Sequence, residues 1–383
     1  MLELRKFVAP EFVFGVDARL LAGRYARNFG VRRVLVVTDP GVVAAGWAGE
    51  VIQSLEEEGL ECRVFDQLSS NPRDHEVTAG VQVYRQEDCN ALVAVGGGSA
   101  IDCAKGIAIV AVNGGNILDF EGVDRVNLPM PPLICIPTTG GTSADVSQFA
   151  IINNTTERVK IAIISKAVVP DAALIDPRTL TTLDPYLTAC TGMDAMVHAI
   201  EAFVSNASSP LTDMHALEAM RLLHAHLAPS VADPEDLEHR GGVMLASLEA
   251  GLAFSNASLG CVHALAHSLG GYLDLPHGEC NALLLASVVD FNFPAASERY
   301  LRLGQALGLD WRGMNSNQSR RALVAHLVNT RRSLGISGTL EDKGLTAEDV
   351  HVLASKALRD PCNATNPRTP NQRDLEVIIE GAM

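Results

Sequence analysis

The sequence lacks what would tie it to nucleic acid, to a membrane or to an oxidising compartment. Lysine and arginine number 30 against 45 aspartates and glutamates, and the formal net charge of −15 repels phosphodiester backbones and anionic lipid heads. No local basic patch reverses that balance, so neither nucleic acid nor a membrane surface is expected as a partner. No stretch approaches the roughly 18 apolar residues of a membrane span, and the start, Met1 to Lys6, carries charge where a secretory peptide needs an apolar centre. The eight cysteines include no Cys-x-x-Cys pair, and a chain of 383 residues needs no disulfides to fold. An unprocessed protein of the reducing cytoplasm is expected. What is present is ordinary globular composition, 47 % apolar and 20 % charged, enough for two or three domains and contrary to disorder or fibrous architecture.

The first half alternates β-branched runs with helix-like segments, the pattern of a parallel, Rossmann-like sheet covered by helices. Strands are predicted at 34–38, 62–65, 91–95, 132–136 and 173–175, each closed by Gly, Pro or Asp, with a helix through 50–56 that stops at Gly59. After about Pro185 the β-branched runs become rare. Helical spacing then predicts helices at 191–204, 212–227, 241–254, 261–270, 296–307 and 320–334. An α/β domain over 1–184 and an all-α domain over 185–383 are expected, divided at Asp184 and Pro185 where proline punctuates the change.

Residues 91–105 read as strand, glycine turn and helix, with Gly96, Gly97 and Gly98 followed by Ser99 and Asp102, spaced as a capping box. A helix N-terminus placed there attracts phosphate through its free N–H groups and its dipole. The spacing is not that of the G-x-G-x-x-G fingerprint. Two further features favour a dinucleotide. Asp39 follows the first long strand, where a carboxylate accepts hydrogen bonds from a ribose diol and repels a 2′-phosphate, favouring NAD over NADP. Residues 136–145 form a second strand-to-helix passage dense in hydroxyls, Thr138, Thr139, Thr142 and Ser143 among them.

In the helical half, Asp194 and His198 stand four apart and therefore on one face of a helix. His263 and His267 repeat that spacing, and His277 lies in a Pro-His-Gly turn. One carboxylate and up to four imidazoles in otherwise apolar segments point to a metal. Nitrogen and oxygen ligands without thiolate suit iron(II), zinc, nickel or manganese. His215, His224, His226 and His326 have no comparable pattern and are read as surface or structural.

Four stretches together resemble the iron-containing (group III) alcohol dehydrogenases: Gly96 to Lys105, Pro137 to Ser143, Gly192 to Glu201, and His263 to Asn281. The resemblance extends from Phe14 and Gly15, through Asn71 and Pro72, to Asp360, Pro361, Cys362, Asn366 and Arg368. It implies a dehydroquinate synthase-like fold, with Asp194, His198, His263 and His277 as metal ligands and His267 close to nicotinamide and substrate without binding the ion. It further implies Asp39 at the adenosine ribose, Gly97, Gly98, Ser99 and Asp102 at the pyrophosphate turn, and Thr138, Thr139, Thr142 and Lys160 on other parts of the dinucleotide. Asn71, Phe149, Phe254 and Cys362 would border the substrate. Two departures stand out: Asp184 precedes Pro185 where many relatives have Leu or Pro, and Phe149 replaces a polar residue of diol-handling members.

The expected reaction interconverts a small primary alcohol and its aldehyde with NAD(H). Substrate oxygen would bind iron(II), or zinc or nickel in its place, the carbinol carbon would face C4 of NAD across a cleft between the domains, and His267 is a candidate for the proton path. Glycerol or propanediol oxidation, and a poorly active regulatory or sensing paralogue, are the competing readings. A homodimer or larger homo-oligomer is expected.

Overall fold

The computed structural model describes residues 6–383, which divide into two compact units, Val8–Leu183 and Asp184–Met383, with Lys6 and Phe7 belonging to the second. The first unit holds nine strands: β1 (Glu11–Phe14), β2 (Arg33–Val37), β3 (Glu61–Phe65), β4 (Ala91–Gly96), β5 (Gly122–Val123), β6 (Leu133–Pro137), β7 (Phe149–Asn154), β8 (Val159–Ile164) and β9 (Ala172–Ile175). Five helices accompany them: α1 (Ala22–Asn28), α2 (Pro40–Ala44), α3 (Trp47–Glu57), α4 (Asp74–Gln86) and α5 (Gly98–Asn113).

Six strands form one sheet in the order β1-β9-β6-β4-β2-β3, parallel throughout. Because side chains alternate along a strand, the sheet feeds two cores. Val34, Val36, Val93, Val95 and Ile134 pack with Ala22 and Ala26 of α1 and Val51 and Leu55 of α3. Leu35, Val37, Leu92, Ala94 and Cys135 pack with Val77 and Val81 of α4 and Ile101 and Ile107 of α5. Burial on both faces is what near-continuous β-branched runs mean in a parallel sheet. From β2 the chain passes to β3 on one side and then to β4 on the other, so the order reverses at the carboxyl ends of β2 and β4, where open α/β sheets bind ligands.

The remaining strands make a small sheet, β5-β8-β7, whose β7–β8 hairpin is antiparallel. The sequence reading missed this hairpin and β1. Apolar residues of the hairpin, Ile152, Ile161 and Ile163, join the core that α4 and α5 form with the main sheet.

The second unit contains α6 (Pro185–Val204), α7 (Pro210–Ala232), α8 (Leu237–Ala257), α9 (Cys261–Leu273), α10 (His277–Asn292), α11 (Ser297–Ala306), α12 (Ser316–Ser333), α13 (Val350–Leu358) and α14 (Gln372–Glu380), with no strand among its described residues. Helix α6 starts where the Asp184 side chain accepts the Leu187 N–H at 3.0 Å and Pro185 occupies the first turn. Every residue of 188–204 is buried. A helix covered on all sides runs through the middle of its bundle, so any polar side chain on it is enclosed. Among the described residues no single helix is long and apolar enough to cross a membrane; α8 and α9 reach that composition only together, bent by 103°.

Candidate functional site

In the first unit the loops after β2, β4 and β6 carry most of the residues implied for a dinucleotide. Asp39 Oδ1 accepts the N–H groups of Gly41 at 2.9 Å and Val42 at 3.1 Å, capping α2. A Cβ on Gly97 would stand 2.9 Å from Thr139 Cγ2, and one on Gly98 would stand 2.8 Å from Thr142 Cγ2. The absence of side chains there lets the threonine loop lie against the glycine turn. Gly97 forms the N-cap of α5 without any side-chain cap, which leaves that helix start open to an anion. The buried hydroxyl oxygens of Thr38 and Thr139 make no hydrogen bond. Unsatisfied polar atoms at strand ends, beside an uncapped helix N-terminus, fit a phosphate-bearing cofactor.

The capping box expected between Ser99 and Asp102 does not form. The helix already begins at Gly98, so Ser99 lies inside its first turn, and its hydroxyl donates to the carbonyl of Ser70 instead. Lys160 is buried on β8, opposite Asn153. Asn71 is buried in a loop laced to β7 by the bond from Asn153 N–H to the Pro72 carbonyl at 2.7 Å, and Phe149 is buried at the start of the same strand. Lys105, to which the sequence reading gave no role, is fully buried and donates to the carbonyls of Ser147 at 2.9 Å and Phe149 at 2.7 Å, fixing the segment that follows the threonine loop.

In the second unit three helices deliver a cluster of donors. Asp194 and His198 come from α6, His263 from α9, and His277 from α10. The Nε2 atoms of His198, His263 and His277 lie 3.9, 3.8 and 3.9 Å from one oxygen, Oδ1 of Asp194. Asp194, His198 and His263 are buried, and His277 is half-buried. His277 is not in a turn, as expected from sequence, but is the first residue of α10. Pro276 ends the extended approach and Gly278 permits the close contact, since a Cβ there would meet the Cys190 carbonyl oxygen of α6 at 2.2 Å.

The cluster fits a divalent cation. The donor atoms of Asp194, His263 and His277 all lie within 4.8 Å of one another, and His198 Nε2 stands 3.9 Å from Asp194 Oδ1; donors that share an ion at about 2.1 Å stand roughly 3.0–3.5 Å apart, so the set closes further around a bound ion. Burial holds the His263 imidazole well below its usual range, which keeps it neutral with a lone pair to give. Asn281, one turn beyond His277, directs its amide nitrogen to Asp194 Oδ1 at 2.6 Å and to the Nε2 atoms of His263 and His277 at 3.2 and 3.3 Å, while its buried carbonyl oxygen has no hydrogen bond. Three lone pairs converging on one positive N–H₂ end mark a spot of negative potential, the polarity a cation requires.

Around this cluster the rings are layered. His198 stacks on His263 at 4.6 Å between centroids and on Phe254 at 4.2 Å. His267 stacks on His277 at 5.4 Å with 12° between planes. Its Nδ1 donates to Asp360 Oδ2 at 2.7 Å, while Asp360 Oδ1 accepts the Cys362 N–H at 2.8 Å. Burial alone would raise the Asp360 carboxyl, but the imidazole and the Cys362 N–H hold it below the usual carboxylate range. The Cys362 thiol is fully buried, which pushes it well up. Ligand atoms of His267, Asp360 and Cys362 all lie within 4.8 Å of one another. The sequence reading quoted Asp360, Glu201 and Asn281 within its motifs but gave them no role; their partners are distant in sequence, and no local pattern reveals them.

The chain belongs to the iron-containing alcohol dehydrogenase family. The profile described as iron-containing alcohol dehydrogenase matches residues 9–177, and that of the Fe-containing alcohol dehydrogenase family, C-terminal, matches residues 188–383. The chain is 40 % identical to alcohol dehydrogenase 4 of Schizosaccharomyces pombe, over 98 % of this chain and 89 % of that protein. It is 36 % identical to the NAD-dependent methanol dehydrogenase of Bacillus methanolicus, over 98 % of this chain and 99 % of that one. A solved structure of 1,3-propanediol oxidoreductase superposes with a TM-score of 0.95 at 35 % identity, covering 100 % of both chains.

Proposed function

We propose that this protein is an oxidoreductase that interconverts a small primary alcohol and its aldehyde with NAD(H) at a divalent metal, iron(II) first, with zinc or nickel as alternatives. The observation that carries the reading is the convergence of three imidazole Nε2 atoms on one buried carboxylate oxygen, in a chain of this family. Asp194, His198, His263 and His277 would hold the ion, making Asp184–Met383 the metal-binding domain and Val8–Leu183 the dinucleotide-binding one. When bound, such an ion supplies the Lewis acidity that makes an alcohol proton easier to lose.

The chain's own groups supply the rest. With its Nδ1–H committed to Asp360, His267 offers Nε2 to a hydroxyl proton. Asp39 spends one oxygen on the α2 cap and has the other to accept from a ribose diol, a charge that disfavours a 2′-phosphate. Gly97, Gly98, Ser99 and Asp102 would lie along the pyrophosphate, and Thr138, Thr139, Thr142 and Lys160 would hold other parts of the dinucleotide. Phe254 and Cys362, beside the imidazoles, are the proposed substrate contacts of the helical unit; Asn71 and Phe149 are those of the first. A diol is the second reading. Likeness to 1,3-propanediol oxidoreductase favours it, and the Phe149 ring, which offers no hydrogen bond to a second hydroxyl, opposes it.

Eight free thiols support a reducing, cytoplasmic setting. Exposed Phe12 and Phe14 on the outer strand β1 support a homo-oligomer. The test is anaerobic purification with elemental analysis, then NAD reduction by the same sample with primary alcohols, 1,3-propanediol and glycerol. Stoichiometric metal and NADH formation with a primary alcohol are expected. Full activity after the metal has been removed, or metal and NAD bound with no turnover of any alcohol or aldehyde, would sink the reading; the second result would favour a sensing role.

A further inference from the structure

Glu201 lies on α6 three residues beyond His198 and seven beyond Asp194, on the same stripe of the helix. It is 4 % exposed and touches no solvent of consequence. Its carboxylate gathers three donors: Oε1 accepts the Val262 N–H at 2.7 Å, and Oε2 accepts the Gly260 N–H at 3.0 Å and Nδ1–H of His263 at 2.6 Å. Two of these are the free N–H groups at the start of α9, and the third is the ring of a proposed ligand on that helix. Between them, the Cys261 N–H goes to Asn366 Oδ1 at 3.1 Å. Gly260 must be glycine for this to hold, because a Cβ would lie 3.0 Å from Glu201 Oε1 and 2.6 Å from Asn366 Oδ1.

We infer that Glu201 is a positioning residue for the metal: it clamps the N-terminus of α9 to α6 and fixes His263 in the tautomer that leaves Nε2 free for the ion. The inference rests on the metal reading above. Asn281 turns its amide N–H₂ to Nε2 at 3.2 Å, so the ring proton sits on Nδ1, 2.6 Å from Glu201 Oε2, and the Nε2 lone pair faces Asp194 and Asn281. The effect reaches a second ligand, since His198 stacks on the ring so fixed.

The experiment uses full-length protein stripped of metal. The Kd for Zn²⁺ is read by competition with a chromophoric chelator, beside thermal unfolding of the metal-free chain. Glu201→Gln should weaken binding about 10- to 100-fold, because a single amide oxygen cannot serve all three donors. Asn366→Ala, which loosens the same helix start without touching His263, should lower the unfolding midpoint yet leave the Kd within about threefold of wild type. Equal affinity in Glu201→Gln and wild type overturns the inference and leaves the metal reading standing; a wild-type chain that takes up no metal overturns both. If Glu201→Gln does not fold, 15N-edited spectra of the metal-free wild type decide the matter. His263 must carry its proton on Nδ1, and a proton on Nε2 overturns the proposal.

Discussion

At Asp39 the two carboxylate oxygens have separable duties. Oδ1 caps α2, and the charge as a whole is what would reject a 2′-phosphate. Asp39→Asn keeps an oxygen for the cap and removes the charge. The ratio of kcat/KM with NADP to that with NAD should then rise roughly tenfold, about 1.4 kcal/mol, with little change in thermal stability. An unchanged ratio removes Asp39 from the role. Asp360 divides its oxygens in the same way, one on the Cys362 N–H and one on His267. In Asp360→Asn a single oxygen must choose. If it keeps the backbone bond, the amide N–H₂ meets the imidazole and drives the ring to the other tautomer, the effect known when a carboxylate that orients a catalytic histidine is neutralised. We expect kcat to fall roughly 10- to 100-fold with KM nearly unchanged. A drop in KM-dependent binding with kcat preserved would show that Asp360 merely caps its turn.

One junction decides the element scale. Helix α10 can approach α6 only because position 278 has no side chain, and that approach brings His277 to Asp194. Gly278→Ala forces a Cβ against the Cys190 carbonyl, so α10 must shift. A cost of about 1–3 kcal/mol is expected, together with reduced metal content in purified protein; wild-type metal content would show that the contact yields without moving His277. Here the limits of reading elements from sequence are visible. The central strands and most long helices were legible because buried parallel strands and helices of three turns or more impose strong periodicity. Strand β1 was not, since its four residues pair with β9 far along the chain; nor was the β7–β8 hairpin, although its two strands are neighbours in sequence. Helix α10 escaped because Pro276 and Gly278 look like a turn; proline before the first residue and a close contact at the glycine produce the same letters.

For the whole molecule, metal and fold are linked. A ligand that binds only the native state stabilises it by RT ln(1 + [L]/Kd), about 2.7 kcal/mol at a hundredfold excess over Kd. Adding graded metal to the stripped chain should therefore raise Tm progressively and slow amide hydrogen exchange in α6, α9 and α10, the three helices that carry the donors. A Tm indifferent to metal, with unchanged exchange in those helices, contradicts the assigned ligand set. In the metal-free chain the buried carboxylate of Asp194 and the imidazoles around it are polar groups enclosed by apolar helices, which is why the stabilisation belongs to this unit.

The sequence by itself determined the parallel α/β half, the change to helices near Pro185, the turn glycines and the pairing of Asp194 with His198, because each depends on spacing within one or two turns of chain. Only the tertiary structure decided that His263 and His277 meet Asp194, that Glu201 and Asp360 orient the rings of His263 and His267, and that Thr38 and Thr139 lack partners at the strand ends. Those contacts join segments separated by tens of residues. They exist where packed helices and strands bring the side chains within hydrogen-bond range, a distance that no local periodicity encodes.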